Sequence, residues 1–113
     1  MADLNQYRQF VQDILTELHG YNRGNTHRGV DSEIILDTDR DHYLLLDVGW
    51  HEKKYVYAVF VHIDIKDSKI WIQRNNTDIR IAERLRKRGV NQTDIVLGSH
   101  SPFLRQFSGY AIA

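Results

Sequence analysis

A histidine and an aspartate stand two apart at His62-Ile63-Asp64. In an extended chain that spacing puts both side chains on one face. The preceding extended segment carries Asp47, expected to point the same way, and a later loop supplies His100. Two imidazoles and two carboxylates suit zinc, manganese or iron, and they also suit acid–base chemistry. The plainer reading of the same residues is a hydrogen-bonded structural pair. An HxD at strand spacing is common by chance, and strand register is not written in the sequence. We favour the structural reading, assign no catalytic residue and call for no cofactor. His42, His51 and His100 receive the same plain reading.

The second concentration of chemistry is cationic. Arg80, Arg84, Lys87 and Arg88 fall near one another on the outside of a helix expected over 77–88. Such a patch could meet nucleic-acid phosphates, although compensation of the negative helix end accounts for part of it. A loop from Tyr21 to Gly29 brings Arg23, His27 and Arg28, residues able to touch an anion, but neither GxxxxGK nor GxGxxG is present. Net charge is zero with a pI near 7.0, which argues against generic DNA coating, where excess positive charge supplies the affinity. With no cysteine there is no disulfide, thiolate metal site or cysteine nucleophile. No GxSxG or HExxH occurs, and Asp37-Thr38-Asp39 lacks the acidic ladder and glycine of an EF-hand loop.

The elements that must position these groups centre on 41–75, where Val, Ile, Tyr, Phe and Trp crowd three extended segments. Strands are expected at His42–Trp50, Lys54–Ile65 and Lys69–Arg74, with Lys66-Asp67-Ser68 as a hairpin turn. Val30–Asp37 adds a fourth strand before them. A helix is expected from Leu4 to about His19, with Leu4, Tyr7, Val11, Ile14, Leu18 and Tyr21 on one stripe, Asp3 as N-cap and Gly20 as its stop. The second helix, Thr77–Arg88, is expected to be capped by Asn76 or Thr77 and ended by Gly89. Ile95–Gly98 reads as a short buried strand or extended segment, and Ser101 as N-cap of a short helix, Phe103–Phe107. The bare apolar end, Ser108–Ala113, reads as docked, as an edge strand or in a groove.

The fold class is therefore α+β. An antiparallel meander of about four strands packs against an N-terminal helix and a second helix, followed by a short C-terminal helix and an apolar tail, in one domain over 1–113. Period two assigns Tyr57, Val59, Val61, Ile63 and Ile65 to one face of the long strand. The other sheet face is assigned Tyr43, Leu45, Phe60 and Trp71 beside Asp47, His62, Asp64 and Gln73. A face that mixes large apolar and polar groups reads as an interface, so another chain, in a homodimer or higher oligomer, is expected there. The polar, amphipathic start and the lack of a run of roughly 20 apolar residues point away from a secretory leader and a membrane span, and so to the cytoplasm.

Several strings stand together in a fixed order: LLDVGW at 45–50, HIDIKDSKIWIQ at 62–73, DIVLG at 94–98 and FSGYAIA at the end. Together with LNQYRQFVQDIL near the start, they make the chain resemble the XisI family of fdxN element excision controlling factors, from Leu4 to Ala113. Small departures fall at turns, at Asn75-Asn76 and after His100-Ser101. The resemblance implies an accessory factor acting with a XisH-like protein in site-specific excision of a DNA element. It implies no recombinase activity and supplies no catalytic residues. Contact with DNA is then expected to be mostly indirect. A DNA-binding regulator using the basic helix, and a small metal-dependent enzyme using the His62/Asp64 face, are the alternatives.

Overall fold

The computed structural model describes residues 3–22 and 29–113. Arg23, His27 and Arg28 lie outside the described residues. A long helix, α1 (Leu4–Asn22), leads into five strands: β1 (Val30–Asp37), β2 (His42–His51), β3 (Lys54–Lys66), β4 (Lys69–Asn75) and β5 (Ile95–Leu97). Helix α2 (Ile81–Lys87) and a 3-10 turn at Gln92–Asp94 connect β4 to β5, and a single turn, α3 (Pro102–Arg105), follows. The strands lie side by side in chain order. The first four run antiparallel, while β5 pairs parallel with β4. A parallel neighbour needs a crossover, and α2 supplies it. The fold is α+β with an open, mixed sheet; the apolar run at 95–97 provides the fifth strand.

Local chemistry explains the ends of these elements. Asp3 caps α1: its Oδ1 accepts from the Asn5 and Gln6 amides at 3.0 and 3.3 Å. The helix continues through Gly20 to Asn22, beyond the expected stop. Helix α2 starts four residues later than expected, and its N-cap position is Arg80 rather than Asn76 or Thr77. The Asn75 Oδ1 accepts from the Thr77 amide and hydroxyl at 3.2 and 2.6 Å, and the Thr77 Oγ1 accepts from the Ile79 amide at 3.2 Å. Those side chains close turns of their own, which compete with the first helical turn. At the β3–β4 hairpin Asp67 and Ser68 both adopt positive φ, 53° and 62°, as a two-residue type I′ turn requires. Ser101 caps α3 by accepting from the Leu104 amide at 3.3 Å. The tail docks on the sheet edge, with the Ala111 amide donating to the Ile95 carbonyl at 2.8 Å.

One sheet face is covered by α1 and α2. Val11, Ile14, Leu15 and Leu18 pack there with Tyr43, Leu45, Val61, Ile63, Ile65, Ile70, Ile72, Ile81, Leu85 and Ile95. Two polar ties fix the helix over it. Arg8 donates Nε and Nη2 to the two oxygens of Asp41 at 2.7 and 3.0 Å, and the Tyr43 hydroxyl donates to Asp41 Oδ1 at 2.8 Å. The Tyr7 hydroxyl donates to Asp94 at 2.7 Å, and burial with this bond pushes its pKa up to about 12.

Face assignment is where the period-two reading needs correction. Tyr43 stands opposite Ile63, and Leu45 opposite Val61, so both lie under α1 rather than on the outer face. Beyond them the register shifts, with Leu46 opposite Val59, so Phe60 is an extra residue in β3. A β-bulge reverses parity on one side of itself. Val61, Ile63 and Ile65 therefore face the helix, whereas Val59 and Tyr57 face away with Leu46 and Val48.

Candidate functional site

The outer face of the sheet, turned away from α1, carries the polar cluster. His42 opens β2 opposite Asp64, and His62 stands two residues before Asp64 on β3. Register and period two thus bring three groups to one spot from two adjacent strands. His42 Nδ1 lies 2.8 Å and His62 Nε2 2.9 Å from the same oxygen, Asp64 Oδ1. Gln73 Nε2 donates to the other oxygen, Oδ2, at 3.3 Å. A second register shift, between His62 and Ile63, makes Gln73 the extra residue in β4 and brings its amide to Asp64. Burial of Asp64 works to raise its pKa, but the bonds from His42 and His62 outweigh that and hold the carboxyl below its ordinary value.

Gly98 belongs to this arrangement. It follows β5, and its amide donates to the Ile72 carbonyl at 2.9 Å. A Cβ there would run into the side-chain amide of Gln73, so glycine leaves Gln73 its place. Gly49, by contrast, is needed for the backbone: it adopts a φ of 143°, and a Cβ would strike the Gly29 carbonyl, which accepts from the Trp50 amide. The strings DVGW and DIVLG each contain a glycine with such a steric reason.

Of the four groups expected to converge, His62 and Asp64 do so, and His42 replaces the other two. Asp47 pairs with Ser32 and Ala58 three residues beyond Leu44, which is itself the partner of His62. An odd offset along β2 puts Asp47 on the opposite face. His100 lies beyond β5, where its amide donates to Leu97 and its carbonyl accepts from Arg105. His42 was legible from HxD only once register was known, because its pairing with Asp64 joins residues 22 apart.

The expected interface set also divides. Tyr43 and Leu45 are sealed in the protein's own core, and Phe60 packs partly against it. Trp71 lies opposite Asp64 on the outer face, yet it is 8% exposed. Lys66 Nζ sits 4.0 Å above its ring and Arg105 5.2 Å from its centroid. The exposed large side chains lie elsewhere. Trp50, Tyr55 and Tyr57 cluster on the far part of the β2–β3 hairpin, and Phe103 and Phe107 stand edge-to-face around α3.

The basic residues of α2 are largely matched by acids. Arg88 Nη2 and Arg84 Nη1 reach Glu17 of α1 at 2.6 and 3.3 Å, and Arg80 reaches Glu83 at 3.3 Å. Lys87 and Arg86 stand exposed beside them. Among the described residues no helix is long and apolar enough to cross a membrane.

Comparison with known proteins places this architecture. The chain is similar to a XisI-like protein from Anabaena variabilis whose crystal structure superposes with a TM-score of 0.92 at 40% identity, covering 98% of this chain and all of that one. It is also similar to a crystal structure named fdxN element excision controlling factor XisI, from the same organism. There the TM-score is 0.86 at 36% identity, with 97% of this chain and 98% of that one covered. No curated protein matches. The family model for XisI protein matches residues 1–112, and with that match and the shared fold the chain belongs to the XisI family.

Proposed function

We propose that the chain is a non-enzymatic accessory factor in site-specific excision of a DNA element, acting in the cytoplasm with a XisH-like partner protein. The observation that carries this reading is the 36% identical relative over nearly the whole chain, which is named as an excision controlling factor. The surface supports a protein-binding role over a DNA-binding one. Trp50, Tyr55 and Tyr57 on the hairpin and Phe103 and Phe107 around α3 are the kind of large, exposed side chains that anchor protein contacts. Arg80, Arg84 and Arg88 are already engaged by Glu83 and Glu17, leaving Arg86 and Lys87 as the exposed cations of this surface, so any DNA contact is mainly the partner's. Self-association of the chain accompanies this role.

Co-expression with a XisH-like protein encoded beside it is the test. The expected outcome is one co-eluting complex, weakened by a Trp50→Ser/Tyr57→Ser pair that leaves the thermal midpoint unchanged. Two proteins eluting independently at micromolar concentration would sink the reading. Light scattering of the chain alone reports self-association separately.

A further inference from the structure

We propose that His42, His62 and Asp64 bind one divalent first-row transition-metal ion, of the zinc or iron(II) class, at the outer face of the sheet. The proposal is independent of the excision reading. Its first support is convergence. The Nδ1 of His42, the Nε2 of His62 and a carboxylate oxygen of Asp64 all lie within 4.8 Å of one another. The two nitrogens already stand 2.8 and 2.9 Å from Asp64 Oδ1. Ligands about 2.0–2.2 Å from a zinc ion, at tetrahedral or octahedral angles, are themselves about 3.0–3.5 Å apart. Small side-chain rotations, with the ring proton of each imidazole moved to its other nitrogen, therefore place an ion where the two N–H groups now meet that oxygen.

The second support is the donor set. Two imidazoles and one carboxylate are the ligands that borderline ions take, with positions left open for water or another group. Magnesium and calcium, which want oxygen throughout, are poorly served. A structural hydrogen bond needs one histidine. Here two rings approach one oxygen, one through Nδ1 and the other through Nε2, so two tautomers must be selected at once. In the other tautomer of each ring the same two nitrogens present lone pairs to one point, as a metal ion requires.

The third support is the surrounding shell. Gln73 holds the second oxygen of Asp64, and Gly98 leaves Gln73 its place, so the carboxylate is oriented from behind. Access is open in front: the His42 side chain is 54% exposed and that of His62 36%, against 15% for Asp64. Trp71 stands opposite Asp64 on the adjoining strand, and among the described residues its buried indole N–H has no hydrogen-bond partner. The cations nearby are turned to other work. Lys66 and Arg105 lie over the Trp71 ring, and Arg74, across from His62, donates Nε to the Val59 carbonyl at 2.7 Å.

The experiment uses the full chain without a histidine tag. Zinc chloride is titrated calorimetrically, and cobalt(II) is added with its visible absorption recorded. One ion per chain is expected, with cobalt d–d bands showing nitrogen ligation. His62→Gln and Asp64→Asn should each weaken zinc binding by about 100-fold, and Gln73→Ala by about 10-fold, as loss of an orienting contact does. His42→Gln, at an exposed position, tests the same ligand set with little risk to folding. His100→Gln should leave binding unchanged. Absence of stoichiometric zinc binding would overturn the proposal, as would binding unaltered in folded His42→Gln and His62→Gln.

Discussion

Each face of the sheet gathers polar contacts on one aspartate, and the two faces do so with opposite chemistry. Under α1, Asp41 takes two bonds from the Arg8 guanidinium and one from the Tyr43 hydroxyl. On the outer face, Asp64 takes two imidazoles and one amide. Guanidinium stays charged at any working pH, so the Asp41 tie is a permanent clamp between helix and sheet. Imidazole has two ring nitrogens, one of which carries a lone pair when the ring is neutral, so it can trade a hydrogen bond for a metal. The same residue type is thus locked on the covered face and available on the open one.

The largest expected contrast is in packing. Ile63→Ala, in the covered core, should cost roughly 2–5 kcal/mol in urea unfolding. Tyr57→Ala on the outer hairpin, 66% exposed, should change stability by less than about 1 kcal/mol. Similar costs for the two would dissolve the distinction between the faces.

Acid unfolding sharpens the comparison next. The Arg8 guanidinium, helped by the Tyr43 hydroxyl and opposed by burial, holds Asp41 below the usual carboxylate range. A carboxyl with a depressed folded pKa stabilises fully above the unfolded value, about 3.9, and loses that contribution as pH falls through the folded value. The urea midpoint should therefore drop below about pH 4. In Asp41→Asn that drop should be shallower, and the variant tolerates the backbone because Asn accepts the positive φ of 60° found there. An unchanged acid slope would show that the clamp contributes nothing.

Tyr43→Phe should then cost about 1 kcal/mol at neutral pH, since it removes one hydrogen bond and keeps Arg8 on Asp41. Denaturant midpoints decide it, and a loss as large as that of Ile63→Ala would mean that the ring is repacked. Smallest in stability is Glu17→Gln, within about 0.5 kcal/mol because its ion pairs are partly solvated. Its informative readout is DNA affinity: releasing Arg84 and Arg88 should raise salt-dependent binding, measured by fluorescence anisotropy. No gain would argue that α2 has no part in DNA contact even when freed.

Much of the fold is legible in the sequence. The 54–66 strand is legible because β-branched and aromatic residues fill it, and Asp67-Ser68 is legible as its turn. The α1 stripe predicts a buried helix face, and Tyr7, Val11, Ile14 and Leu18 are buried, whereas Tyr21 in the last turn is 60% exposed. Helix α2 starts later than its capping signals imply because Asn75 and Thr77 spend their side chains on local turns, which a capping rule does not distinguish from a cap.

The amino-acid order by itself determined which segments are extended, which are helical, where the β3–β4 hairpin turns and which family strings recur, because those depend on near neighbours. Tertiary structure alone decided which face is which. Two one-residue bulges, at Phe60 and Gln73, and the pairing of His42 with Asp64 set that, and none leaves a mark in local periodicity. A shift of one residue sends every later side chain to the other side of the sheet. For that reason Tyr43 and Leu45 went to the core, Asp47 left the polar cluster, and His42 entered it.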